Sequence, residues 1–580
     1  MKRRILTIVA AALLAVVAMP AANAQTKWHD PEKAGFDVVH NQAYAGQERE
    51  NFYHRFPKKA HGVIRDNVWN LACQSAGESL EFTTDSPDII VRYTVTKRHA
   101  MPHMPATGVS GVDLYTKDKH GREVWLAGKY SFKDTLTYRF NNIDVVNKAR
   151  KAQRYTLFLP LYNEVSWMEI GVDEGSFFRF EPVLPVRPIV AYGSSIGQGA
   201  CASRPGMAWS NILQRRLDHP VVNLGFSGSA YHEKEIIDLI SQIDAEVYLM
   251  DGMPNSSSLE TEVLRDTLTK AIRQLRAARP DTPIVLADHL GYPQSRASEA
   301  HRVKEKRAWD VQKEVFEELV AEGMKNLYHI PYTDIAMPQD ATVDGSHPTD
   351  YGMVVYADAY EKVMREVMNM PKGDSPTTVP VTQQRDPYNW MDRHAHILKA
   401  GAGKHFTRIV IGDSIMHFWG GADDAPAKNG PQTWAAFEGT SLNLGCGYDR
   451  VENVLWRIYH GQLDGWTADK IFLAIGTNNF RSMEDAEGIM EGLEMLIEAI
   501  KARRPEAELT LMGVLPRRGK EAAVKDLNKL YKALAKEKGI RYADPGKALL
   551  IKGGKIDESL FTDGLHPNEK GYSLIAPWFN

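Results

Sequence analysis

The 580-residue sequence has only three cysteines, Cys73, Cys201 and Cys446, and they lie far apart. That number cannot build a disulfide framework, and the spacing lacks the close pairs of a zinc or iron–sulfur site. Stability must therefore come from burial. Neither sign of charge dominates: 70 Lys and Arg stand against 73 Asp and Glu, a net of −3. With no basic field to neutralise phosphates, nucleic acid is excluded as an expected partner. The apolar run from Ile5 to Met19 is 15 residues long, short of the ~20 that span a bilayer, so no stable membrane insertion is expected. The rest of the composition, 43% hydrophobic and 25% charged, is that of folded globular chains and excludes disordered and collagenous ones.

The short apolar run has a different use. It follows Lys2-Arg3-Arg4 and precedes Ala22-Asn23-Ala24, the basic, apolar and small-residue order of a Sec signal peptide over residues 1–24. The mature protein is expected to be exported, periplasmic or secreted. No cysteine follows the run, which argues against a lipid anchor.

Three regions follow. Residues 27–185 carry short β-rich runs (78–84, 89–95, 111–116, 136–140, 155–161 and 167–172) broken by turn signals such as Asp85-Ser86-Pro87-Asp88; this predicts a β-sandwich, jelly-roll-like. From 186 to 370, apolar strands (188–192, 221–224, 246–250, 283–287 and 326–330) alternate with helical stretches at 262–278 and 302–323, which predicts a parallel sheet covered on both faces. Residues 371–400, rich in Pro, Thr and Asp at their start, read as a linker. The alternation restarts over 401–580, with strands at 408–411, 441–444, 470–475 and 508–513 and helices at 486–502 and 521–538. The expected architecture is one sandwich and two three-layer, flavodoxin-like α/β domains.

The two α/β regions repeat their polar punctuation. The first has Gly193-Ser194-Ser195-Ile196, Asn223-Leu224-Gly225-Phe226-Ser227-Gly228, Asp251-Gly252-Met253-Pro254-Asn255 and Asp344-Gly345-Ser346-His347-Pro348. The second has Gly412-Asp413-Ser414-Ile415, Asn443-Leu444-Gly445-Cys446-Gly447-Tyr448, Gly476-Thr477-Asn478-Asn479 and Asp563-Gly564-Leu565-His566-Pro567. In each copy 152 residues separate the serine from the histidine. Loops after parallel strands converge on one sheet edge, the usual ligand crevice. A serine there needs an imidazole to take its proton and a carboxylate to fix that imidazole, and Asp-x-x-His supplies both on one turn. Backbone N–H groups and an asparagine amide can then hold the charge that develops on a carbonyl oxygen.

These four blocks, in order and twice, resemble the SGNH (GDSL-type) hydrolase superfamily over residues 186–366 and 405–580. The resemblance implies catalytic Ser195, Asp344 and His347 in the first copy and Ser414, Asp563 and His566 in the second. It also implies oxyanion donors at Gly228 and Asn255, and at Tyr448 and Asn478. Three departures stand out. Ser194 replaces the usual aspartate, Asp251-Gly252-Met253-Pro254-Asn255 replaces the usual Gly-x-Asn-Asp, and Tyr448 occupies the block-two glycine, where its backbone N–H still serves if the side chain points away. The run Asp449–Arg457 is similar to the platelet-activating-factor acetylhydrolase branch. Gly111-Val112-Asp113-Leu114-Tyr115 resembles the Gly-x-Asp-Leu-Tyr motif of the β-domain that precedes some SGNH esterases of carbohydrate-degrading bacteria.

Gly193-Ser194-Ser195-Ile196-Gly197 also fits the α/β-hydrolase elbow, but Met416 breaks that pattern in the second copy. His99, Met101, His103 and Met104 could be imagined as a soft copper site; Pro102 and Pro105 make the segment a loop, expected to line the first pocket. No metal or other cofactor is required. The expectation is a serine esterase removing small acyl groups, acetyl above all, from plant-type poly- or oligosaccharides. The alternatives are a carbohydrate-binding protein with one degenerate unit and a lipid or aryl-ester acylhydrolase.

Overall fold

In the strand Ile89–Val95, buried residues alternate with half-buried ones, the period of a sheet with one face on a core. The computed structural model describes residues 25–118, 121–144, 152–383, 388–420 and 425–580; the leader expected over residues 1–24 lies outside them. Ile89–Val95 sits at the centre of an antiparallel five-stranded sheet, in the order Thr26–His29, Val165–Asp173, Ile89–Val95, Leu136–Phe140, Lys129–Ser131. A second antiparallel sheet runs Phe178–Phe180, Ser79–Thr84, Gln153–Phe158, Asp113–Lys117, Glu123–Leu126, with Val39–His40 paired to Ser79–Thr84. Leu80, Phe82, Leu114 and Leu157 from one sheet meet Val91, Tyr93, Met168 and Ile170 from the other in one core. The region is a β-sandwich.

The sequence pattern finds the central strands and misses five: Thr26–His29, Val39–His40, Glu123–Leu126, Lys129–Ser131 and Phe178–Phe180. All five lie at sheet edges, where short, half-solvated strands carry no apolar run to recognise. One part of 27–185 also departs from the all-β reading. The segment between Val39–His40 and Ser79–Thr84 contains the helix Asp66–Ala72, and Phe56, Ala60, Ile64, Val68 and Trp69 pack with Tyr192, Leu224 and Phe226 of the first α/β unit.

Each α/β unit is a five-stranded parallel sheet in which the first strand lies between the second and third. The first unit reads Val221–Gly225, Ile189–Gly193, Val247–Asp251, Ile284–Ala287, Leu327–Ile330. The second reads Ser441–Gly445, His405–Gly412, Thr467–Ala474, Glu508–Met512, Arg541–Ala543. Every residue of the first unit's first three strands in chain order is buried, as helices on both faces require. The last strand of the second unit, Arg541–Ala543, escaped the sequence pattern because it is a short polar edge.

The expected linker over 371–400 is corrected at its end. Trp390–Gly401 is a helix, capped by the Asn389 side chain, and its Trp390, Arg393, His394 and Ile397 are buried. The Pro/Thr composition that suggested a linker belongs to residues before it. One apolar core runs from Ile189 and Tyr360 of the first unit through Trp390 to Ile409 and Leu473 of the second. Polar contacts reinforce the joint: Trp456 Nε1 donates to Asp218 Oδ2 at 2.8 Å, and Arg179 of the sandwich pairs with Asp392 at 2.9 Å.

Candidate active site

In both sheets the first strand ends in a glycine, turns sharply, and starts a one-turn helix with the serine at its first position: Ser195–Gln198 after Gly193 and Ser414–His417 after Gly412. The residue before each serine caps this turn. Ser194 Oγ accepts the Ile196 N–H at 3.3 Å, and Asp413 Oδ1 accepts the Ile415 N–H at 2.9 Å. Ser194 thus performs the capping part of the aspartate it replaces.

The repeated asparagine of block two ties this turn to the neighbouring strand. Asn223 Nδ2 donates to Gly197 O at 2.8 Å while its Oδ1 accepts the Gly225 N–H at 2.9 Å. Asn443 makes the matching pair with Met416 O and Gly445 N, both at 2.8 Å. A buried arginine then closes the strand end. Arg55 Nη1 donates to Asn223 O at 3.1 Å and Gly225 O at 2.9 Å; Arg393 donates to Asn443 O at 2.7 Å and Gly445 O at 3.2 Å. Sequence reasoning missed both arginines. One comes from the excursion of the sandwich region and the other from the helix inside the expected linker, and neither carries a local motif.

The structure brings the expected side chains together twice. Ser195 Oγ lies 2.8 Å from His347 Nε2, and His347 Nδ1 lies 2.7 Å from Asp344 Oδ2. Ser414 Oγ lies 2.9 Å from His566 Nε2, and His566 Nδ1 lies 2.7 Å from Asp563 Oδ2. Each aspartate also accepts backbone N–H groups of its own turn, from Ser346 and His347 or from Leu565 and His566. Partial burial pushes these two carboxyls up, but the backbone and imidazole hydrogen bonds outweigh it and hold both below the usual aspartate value. A carboxylate so held keeps a proton on Nδ1 and the lone pair of Nε2 directed at the serine.

Gly228 and Tyr448 share the same left-handed backbone, φ +64° in each. Tyr448 is 44% exposed, which turns its ring to solvent. Asn255 and Asn478 stand at the same distance past strand residues paired with Gly193 and Gly412. They are oriented from opposite ends: Asn255 Oδ1 accepts the Ala230 N–H at 3.1 Å, and Asn478 Nδ2 donates to Asp449 O at 2.9 Å. Beneath the second site, Asp449 and Arg457 form a fully buried ion pair at 2.7 Å, with Trp390 Nε1 donating to Asp449 at 2.7 Å. The loop expected to line the first pocket does reach it, since the His103 ring centroid is 5.7 Å from that of His347.

This geometry agrees with what the chain is similar to. Residues 186–365 and 410–574 each match a GDSL-like lipase/acylhydrolase family, and residues 26–178 match the N-terminal domain of SGNH-hydrolase-type esterases. The chain belongs to the SGNH (GDSL-like) hydrolases. It is a carboxylic ester hydrolase, with two hydrolase-fold units behind one family-typical β-domain. Bovine platelet-activating factor acetylhydrolase IB subunit alpha2 is 27% identical over 219 residues, 36% of this chain and 90% of that protein; the human alpha1 subunit is 25% identical over 206 residues, 34% of this chain and 84% of that protein. Among solved structures, a GDSL-like lipase from Bacteroides ovatus superposes with a TM-score of 0.54 at 28% identity, covering 60% of this chain and 98% of that one. No helix among the described residues is long and apolar enough to cross a membrane.

Proposed function

We propose that this SGNH hydrolase is an exported serine esterase that removes small acyl groups, acetyl above all, from poly- or oligosaccharides, using both copies of the site. The observation that carries the chemistry is the continuous hydrogen-bonded chain from serine through imidazole to carboxylate, found twice with nearly the same distances. Ser195 or Ser414 attacks the ester carbonyl as His347 or His566 takes its proton, and the imidazolium then returns that proton to the departing alcohol. Asp344 and Asp563 stabilise the imidazolium. The charge on the tetrahedral oxygen falls to the serine's own N–H, the N–H of Gly228 or Tyr448, and the amide of Asn255 or Asn478. Water repeats the sequence on the acyl-enzyme and releases the acid.

The name of the curated relatives, acetylhydrolases, supports acetyl as the acyl group. The attached β-domain and the leader-like residues 1–24 support a glycan met outside the cytoplasm. Partly exposed His347 and Asp344 suit an ester presented on the surface of a polymer.

The test compares Ser195→Ala, Ser414→Ala and the double variant on an aryl acetate and on acetylated xylan. Each single variant should lose the share of acetate release that its copy supplies, and the double variant should fall to the residue that survives without the nucleophile, roughly 10³–10⁴ over water. Parental release by the double variant would end the serine mechanism. Cleavage of the aryl ester but of no acetylated glycan would end the carbohydrate assignment.

A further inference from the structure

The first site contains a feature that ester hydrolysis does not use. His103 of the sandwich region, Cys201 six residues after the serine, and His347 each bring one ligand atom to a cluster in which all three lie within 4.8 Å of one another. Among the described residues this is the one place where three such side chains converge. The second copy offers no match: Gly420 stands six residues after Ser414, and the ring nearest His566 on that side belongs to Phe418, 5.1 Å away.

The backbone adds a separate reason to notice Cys201. Its φ is +68° and that of Gly420 is +132°, so both copies need left-handed backbone here. A glycine takes that conformation without cost, while a residue with a Cβ does not. The first copy nevertheless carries a side chain there, and it is a thiol 6% exposed beside the catalytic histidine.

We propose that His103, Cys201 and His347 form an inhibitory site for a thiophilic divalent cation such as zinc, at the first active site alone. The inference rests on the reading of His347 as the general base. Asp344 holds His347 Nδ1 at 2.7 Å, which leaves Nε2 as the ring's only lone pair, and a carboxylate on the far nitrogen is the usual support of a zinc-ligating imidazole. That same lone pair must take the Ser195 proton. A cation on Nε2 therefore removes the base without disturbing the fold. Zinc with one sulfur and two nitrogens places its ligand atoms roughly 3.4–3.6 Å apart, so no pair in a cluster held within 4.8 Å has to close by more than about 1.4 Å. His103 can supply that movement, because it sits exposed on the turn between bridge-paired Met101 and Met104. Binding releases the thiol proton to solvent as Zn²⁺ takes the thiolate, and the open fourth position takes water.

The experiment uses the full chain and zinc chloride, with binding read by equilibrium dialysis and aryl acetate hydrolysis read in zinc and in chelator. In Ser414→Ala, where the first site works alone, zinc should lower the rate at least about tenfold, and chelator should restore it. Ser195→Ala, which leaves the second site working, should keep its rate in zinc while still binding the ion. His103→Ala and Cys201→Ala should each weaken zinc binding at least about tenfold, with each variant's inhibition measured against its own rate in chelator. Equal inhibition of the two sites, or parental zinc affinity in both ligand variants, would overturn the proposal. A Ser414→Ala protein inactive even in chelator would instead sink the catalytic reading and with it the inhibitory role, and dialysis would still decide whether the ion binds.

Discussion

The two copies place serine, histidine and aspartate almost identically, yet they differ in where they bury a second carboxyl. The first has Ser194 on the nucleophile turn and Asp251 at the end of the third strand; the second has Asp413 on the turn and Ala474 at the strand end, since Gly193 pairs with Asp251 and Gly412 with Ala474. One acid has moved from loop to neighbouring strand. Burial pushes the carboxyl to about 8 at Asp251 and to about 7 at Asp413, so at these matched places each unit keeps an acid that still holds a substantial share of its proton near neutrality. The lesson is that a motif letter can be lost while its physical content survives elsewhere: Ser194 inherits the cap, and Asp251 inherits the buried acid.

Several changes would break or sharpen the comparison. The largest effect is expected from Asp344→Asn and Asp563→Asn. Each should lower its own site's rate about 10⁴-fold, because the imidazole then holds the wrong tautomer; kcat of each, measured in the background lacking the other serine, checks this. A strong loss at one copy and none at the other would show that the geometric match is not a functional one.

Next comes the ion pair that only the second copy has. Asp449→Ala leaves Arg457 buried and uncompensated, which should cost about 3–5 kcal/mol in denaturant unfolding. In the first copy Ser229 occupies the matching place, and Ser229→Ala should cost far less.

The transposed acids make a prediction about pH. A carboxyl raised in the folded state binds a proton that the unfolded chain has released, so its contribution to stability is present below the unfolded aspartate value and is lost as pH rises through the folded one. Asp251→Asn and Asp413→Asn remove that loss. Their stability gain over the parent should grow between about pH 4 and pH 7–8, by at most about 1.4 kcal/mol per unit, with Asp251→Asn gaining up to the higher pH. Tm measured across pH against the parent tests both sign and order, and a gain that shrinks as pH rises would refute it.

Tyr448→Gly carries the smallest expectation. Relief of the left-handed strain, about 1–2 kcal/mol, is offset by glycine's greater unfolded freedom, about 0.5–1 kcal/mol. The net should be a slight stabilisation by thermal unfolding, with second-site activity retained because the backbone N–H is unchanged.

Much of this arrangement is legible in the chain. The central strands of all three regions follow from their apolar periods, and the six triad residues follow from punctuation after strands. What stays hidden is long-range or marginal. Arg55 and Arg393 act on strands 168 and 50 residues away, and nothing around them announces a partner. The edge strands bury too little to leave a pattern. The helix Trp390–Gly401 stands beside a Pro- and Thr-rich stretch whose composition masked its buried face.

The core that passes from Tyr360 through Trp390 to Leu473 makes the duplication something other than two beads on a string. An apolar surface shared in this way cannot be cut without wetting both halves, so heating should melt the two hydrolase units in a single transition. It also means that a destabilising change under one site drains stability available to the other. The two copies share a fate, and either site can diverge only as far as their common core tolerates.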